Sequence, residues 1–134
     1  MTCFWDGILN LLTTQEINTV FRTNYTGKTS VQDFINGLQQ NNIQTPDVIH
    51  QGTSVSTKQT LENITAIQCI SPGAASGGYD CSSADPVLFL ISQLFNYNIT
   101  HVYNNVSIYY SIPAAKGTLT FGSNTNHFWS ISRT

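Results

Sequence analysis

The sequence predicts an α+β domain, with a helical N-terminal part packed on a small antiparallel β-sheet formed by the C-terminal part. Three observations carry this. Apolar residues recur at helical spacing through residues 3–38, period-two alternation of β-branched and aromatic residues begins at residue 99, and turn chemistry separates the segments. The 134 residues are the size of one domain, read as 1–134, with no internal repeat and no linker.

Phe4, Ile8, Leu11 and Leu12, broadened by Leu9, form a stripe that predicts a buried helix from Cys3 to Leu12. Thr13-Thr14-Gln15-Glu16 is a capping-box pattern opening a second short helix with Ile17, Val20 and Phe21. Asn24–Gly27 reads as a turn, and Ser30 caps a third helix presenting Val31, Phe34, Ile35 and Leu38, with Gly37 weakening its end. Residues 41–52 have no clear period, and Thr45-Pro46 can start a helical turn. Ser56 or Thr57 opens a further helix through Leu61 and Ile64, and the Pro/Gly/Ser-rich residues 71–78 read as a loop. Asp85-Pro86 is a helix start for Pro86–Phe95. Strands follow at Ile99–Tyr103 and Val106–Ser111, joined by Asn104-Asn105, then at Leu119–Phe121 and His127–Ser132 across Gly122–Asn126.

Composition excludes several function classes. Hydrophobic residues make up 40% and aromatic residues 11%, enough to fill a core, but Asp, Glu, Lys and Arg together are only 9%, against a usual share of about a quarter. Asn, Gln, Ser and Thr supply the polar surface, a bias that suggests an AT-rich viral or intracellular bacterial genome. The five basic residues, Arg22, Lys28, Lys58, Lys116 and Arg133, are scattered over a chain of net charge −2. No concentrated basic face is therefore expected, and no nucleic-acid partner. Val87–Ile91 is the longest apolar run, far too short to span a bilayer, so no membrane partner is expected either. The start lacks a basic segment and Asp6 interrupts its apolar run, which does not fit a signal peptide. Sequons at Asn24, Asn63, Asn98 and Asn105 are expected by chance in a chain this rich in Asn, Ser and Thr. Of three cysteines, either Cys69 pairs with Cys81 or all are reduced thiols of a cytosolic protein, the favoured reading. No C-x-x-C or H-x-x-H pair offers half a zinc site, so no metal and no other cofactor is expected.

Cys3 heads a helix, where free backbone N–H groups and the helix dipole favour thiolate, the nucleophilic form. His127, in Asn126-His127-Phe128-Trp129, shares a strand face with Trp129 and Ile131 and can serve as a base held by aromatic neighbours. Taken alone, Cys3 reads first as a buried apolar cysteine and His127 as a hydrogen-bonded core or surface histidine; the pair in its setting shifts the reading toward chemistry. Cys81, just before the Pro86 helix, is weighed as an alternative nucleophile and reads rather as a surface turn or packing residue. His101, on a strand, is an alternative partner for Cys3 or Cys81 and reads as structural, while His50 is expected in an exposed polar loop.

The order of these pieces resembles the OTU-type deubiquitinases, a papain-like cysteine protease family. Cys3-Phe4-Trp5-Asp6-Gly7 running into a helix resembles the family's Cys-aromatic helix start. Gly77-Gly78-Tyr79-Asp80, helix Pro86–Phe95 and strand Ile99–Tyr103 resemble its glycine-containing segment, late helix and apolar strand. Leu119–Phe121 followed by Asn126-His127-Phe128 resembles its closing strand pair with a His-aromatic motif. The resemblance implies a papain-like, OTU-like fold and a thiol peptidase or isopeptidase with Cys3 as nucleophile and His127 as general base. It further implies backbone N–H groups at Cys3 and just before it as oxyanion donors, with Asn126, Asn124 or Asp6 as orienting residues. Gly77, Gly78, Tyr79 and Trp129 would line a substrate groove. The family often has an acid or amide two residues after the histidine, where this chain has Trp129. Its upstream Asp-containing loop would precede Met1, which suggests a domain from a longer viral polyprotein or bacterial effector. The expected partner is a ubiquitin-like or polyprotein substrate in the host cytoplasm. The alternative expectation is a catalytically silent homologue that binds a partner protein or serves a structural role.

Overall fold

Side-chain caps set the starts of the three middle helices. A computed structural model describes residues 3–45, 48–71, 86–124 and 127–134. Helices α1 (Cys3–Leu11), α2 (Thr14–Phe21), α3 (Val31–Gln40), α4 (Thr57–Gln68) and α5 (Pro86–Phe95) follow the expected segments closely. At α2 the capping box is complete: Glu16 N–H donates to Thr13 Oγ1 at 3.1 Å and Thr13 N–H to Glu16 Oε1 at 2.9 Å. Ser30 and Ser56 accept from the backbone of Asp33 and Gln59 at 3.1 and 3.0 Å, capping α3 and α4. Asp85, the expected cap of α5, lies outside the described residues. Gly37 does not weaken α3 without reason: a Cβ there would stand 2.3 Å from the Phe21 ring, so the glycine lets α2 and α3 close on each other.

The sheet is larger than the small antiparallel one expected, and it is mixed. Strands β1 (Ile49–His50), β2 (Thr53–Ser54), β3 (Asn98–Tyr103), β4 (Val106–Ser111), β5 (Thr118–Ser123) and β6 (Phe128–Arg133) form one sheet in the order β2-β1-β4-β3-β5-β6. The β3–β4 hairpin turns through Asn104 and Asn105, at φ 47 and 66, the left-handed pair that a two-residue turn requires. Ile112–Gly117 then carries the chain past the end of β3. There Ile112 N–H donates to Asn98 Oδ1, and Asn98 N–H donates to the Gly117 carbonyl. β5 consequently lies parallel to β3 and antiparallel to β6. Two features were not in the expectation. Within the ambiguous residues 41–52 the chain forms β1, while the helical turn that Thr45-Pro46 could start lies outside the described residues. His50 is not in an exposed loop but half-buried in β1, its ring 5.5 Å from Phe89 and 5.3 Å from Tyr110. Burial among these rings pushes its pKa down.

The helices cover one face of the sheet. α5 packs on β3 and β4 with the Phe89 ring 5.0 Å from Tyr110, and α1 packs on β6 and β5. Phe4, Trp5, Phe21, Phe34, Phe95, Phe121 and Phe128 are buried in one continuous core, each such ring worth about 1.5–3 kcal/mol on burial. On the other face Ile49, Tyr109, Trp129 and Ile131 are exposed. No helix among the described residues is long and apolar enough to cross a membrane.

One acid ties the N-terminal helices to the last strand. Glu16 accepts from both terminal nitrogens of Arg133 (2.5 and 3.1 Å) and from the Tyr97 hydroxyl (2.5 Å), and it pairs with Lys116 at 3.1 Å. Arg133 also donates to the Leu11 carbonyl at 2.8 Å, which closes the C-terminal end of α1 against the end of β6. Burial alone would raise the Glu16 pKa. The hydrogen bonds from Arg133, the Thr13 backbone, Tyr97 and Lys116 outweigh it and hold the carboxyl at about 2. Tyr97, desolvated and bonded to this carboxylate, is pushed up to about 12.

Because the folded carboxyl titrates near 2 rather than 4.5, its contribution is complete above pH 4.5 and is lost as pH falls toward 2. The Glu16 side chain is only 12% exposed, but Arg133 and Lys116 are 36% and 49% exposed, which screens the pairs. Glu16→Gln is expected to lower urea-unfolding stability at pH 7 by about 1–3 kcal/mol and to flatten the acid limb below pH 4.5. An unchanged acid limb in the variant would remove this network from the stability account.

Candidate active site

The two residues singled out from the sequence lie beside one aromatic contact. Cys3 is the first residue of α1, half-buried against the core, with a free thiol. The next residue, Phe4, packs its ring 4.8 Å from the ring of Phe128, and Phe128 directly follows His127. The start of α1 is thus brought to the start of β6. One turn along the helix, Gly7 makes the approach close: a Cβ there would stand 2.8 Å from the Phe128 ring. A helical glycine costs about 1 kcal/mol relative to alanine, and here the absent side chain is what lets the helix reach the strand.

Phe128 has little freedom to yield. Its ring is 5.2 Å from Phe121 and 5.7 Å from His101. His101 is fully buried, with Nε2 2.6 Å from Ser123 Oγ and Nδ1 without a hydrogen-bond partner among the described residues. Burial pushes its pKa down to about 4, so the ring is neutral at physiological pH. No hydrogen bond joins it to Cys3 among the described residues. Its position makes it a link between β3 and β5 and a wall behind Phe128, in keeping with the structural role expected.

His127 precedes β6 rather than lying within it. Asn124 fixes its backbone twice: His127 N–H donates to Asn124 Oδ1 at 2.8 Å, and Asn124 N–H donates to the His127 carbonyl at 2.9 Å. Asn124 therefore holds the chain at His127, where the sequence suggested that it orients the ring. The imidazole is exposed and stacks on Trp129, with ring centroids 5.5 Å apart and planes 22° apart. Trp129 in turn lies flat over β5, where a Cβ on Gly122 would stand 2.6 Å from the indole.

Among the described residues no hydrogen bond links the Cys3 thiol to the His127 ring. The Phe4–Phe128 contact brings their chain segments together, but Cys3 stands on α1 at the helix-covered face of the sheet while the His127 ring stacks on Trp129 at the other face. Both have access to solvent. Asp6 is half-buried in the first turn of α1. Cys69, offered as a disulfide partner, is a free, exposed thiol at the end of α4. Gly77, Gly78, Tyr79, Cys81 and Asn126 lie outside the described residues. No group of three or more His, Cys, Asp or Glu side chains able to hold a metal occurs among the described residues.

Sequence reasoning missed the roles of Gly7 and Gly122, which stand beside the candidate site where a phenyl and an indole ring need a missing side chain. The available signal was the cost of glycine inside a helix and inside a strand, which calls for a close approach of another group. In comparisons with family models, curated proteins and solved structures, nothing matches this chain.

If the Gly7–Phe128 approach sets the site, Gly7→Ala should destabilise the fold by about 1–3 kcal/mol despite its better helix propensity, because the confined ring cannot move aside. Urea unfolding measures this. A variant as stable as the parent, or more so, would show that helix and strand can separate freely.

Proposed function

We propose that this chain is a thiol-dependent peptidase or isopeptidase of the OTU, papain-like type. Cys3 is the nucleophile and His127 the general base. The observation that carries the reading is the Phe4–Phe128 ring contact, since it brings together the two chain segments whose motifs resemble the family's catalytic ones. Cys3 is a free, half-buried thiol, and a solvent-accessible imidazole with a doubly bonded backbone suits a positioned base.

In the reaction, His127 takes the Cys3 proton and the sulfur attacks the scissile carbonyl carbon. The C–N bond then breaks, the amine leaves with the proton held by His127, and a thioester remains. Water, deprotonated by His127, attacks the thioester, releases the carboxylic acid and restores the thiol. The substrate class is a ubiquitin-like C-terminal tail or a viral polyprotein junction, met in the host cytoplasm by a viral protein or bacterial effector.

A second reading, a catalytically silent homologue that binds a partner through the same surface, is favoured by one observation. Trp129 occupies the position where the family often has an orienting acid or amide, and an indole can only donate.

Incubation of the reduced protein with ubiquitin bearing an electrophilic C-terminus, read by intact mass, separates the two. The protease reading expects one covalent adduct in the parent and none in Cys3→Ala or His127→Ala. Absence of an adduct while Cys3 still reacts with iodoacetamide would overturn it in favour of the silent homologue.

A further inference from the structure

Trp129, expected from the resemblance as a groove residue, has a second role here. We infer that Gly122 and Trp129 form a platform that positions His127, taking the place of a hydrogen-bonding orienter. The inference rests on the thiol-peptidase reading above. Three layers are stacked on the outer face of the sheet: the β5 backbone at Gly122, the Trp129 indole, and the His127 imidazole. Gly122 and Trp129 are direct cross-strand partners in the β5–β6 register, so the glycine sits beneath the indole by the geometry of the sheet. Any larger residue would drive a Cβ to 2.6 Å from the indole and lift it.

The near-parallel geometry, at 5.5 Å and 22°, lies in the range where stacked aromatic rings attract. Face stacking restricts the tilt of the imidazole through its face and not its edge, and neither ring nitrogen has a hydrogen bond among the described residues. A carboxylate orienter would instead occupy one nitrogen. Asn124 fixes the backbone of the same residue, so the platform need govern only the side-chain torsions. Trp129 is a positioning residue in this account, since it acts through His127 and touches no reacting atom.

The test compares the parent, Trp129→Phe, Trp129→Ala and Gly122→Ala by two readouts. The first is the proton NMR shift of the His127 ring protons, which a stacked indole moves upfield. The second is the rate of adduct formation with electrophilic ubiquitin, resolved into a maximal rate and a half-saturating concentration. The platform predicts an upfield shift in the parent that Trp129→Phe partly keeps and Trp129→Ala loses. The maximal rate should fall about tenfold or more in Trp129→Ala, with the half-saturating concentration little changed and partial rescue by phenylalanine. Gly122→Ala should weaken both signals with the indole still present.

His127 shifts that are the same in Trp129→Ala as in the parent would overturn the platform. So would a loss confined to the half-saturating concentration, which would make Trp129 a wall of the substrate groove. A parent that forms no adduct overturns the thiol-peptidase reading, and with it the catalytic purpose of the platform. The NMR comparison needs no chemistry and distinguishes that failure from a missing stack.

Discussion

The docking of α1 along β6 is the contact on which the rest of this structure depends. The helix runs beside the strand in the same direction. It is held at its start by Phe4 on Phe128 and at its end by the Arg133 guanidinium on the Leu11 carbonyl and Glu16. Between these clamps Gly7 removes the one side chain that would hold helix and strand apart. The first and last elements of the chain are thereby fixed to each other, which joins residues more than a hundred positions apart in sequence. The approach of the Cys3 segment to the His127 segment presupposes this docking, whereas the stack on Trp129 rests on the β5–β6 pairing at Gly122.

The two clamps differ in kind. At the Cys3 end the contact is aromatic and dry, with Phe128 confined by Phe4, Phe121 and His101. At the other end it is ionic: Glu16 gathers Arg133, Lys116 and Tyr97. In a chain with only 9% charged residues, this concentration of charge on one acid is economical. It ties the end of β6 to the end of α1 and the start of α2. His101 contributes differently, as a neutral buried ring hydrogen-bonded to Ser123 across the parallel β3–β5 pair.

Much of the local structure was legible because it rests on short-range chemistry. The Thr13–Glu16 box, the Ser30 and Ser56 caps and the Asn104-Asn105 turn all involve residues at most three apart, and all are formed. Pairing over longer range was not legible. The parallel β3–β5 pair depends on where the Ile112–Gly117 connection crosses, and β1 exists because Ile49 and His50 find β4 some sixty residues later. No local period encodes either. The segments of the candidate site were legible from motif, but their juxtaposition depends on two glycines whose meaning is tertiary. Gly7 and Gly122 look like local weaknesses in sequence and act as contact surfaces in the fold.

The central claim is that the α1–β6 docking makes Cys3 a reactive thiol assisted by His127. Cys69 is a built-in control, since it is a free thiol more exposed than Cys3 and lies at the end of α4. Limiting iodoacetamide followed by peptide mass mapping measures the order in which the two are alkylated. The account predicts that Cys3 reacts ahead of Cys69 in the parent and that this lead disappears in His127→Ala. If the more exposed Cys69 reacts first in the parent, or if Cys3 keeps its lead without His127, the claim is contradicted.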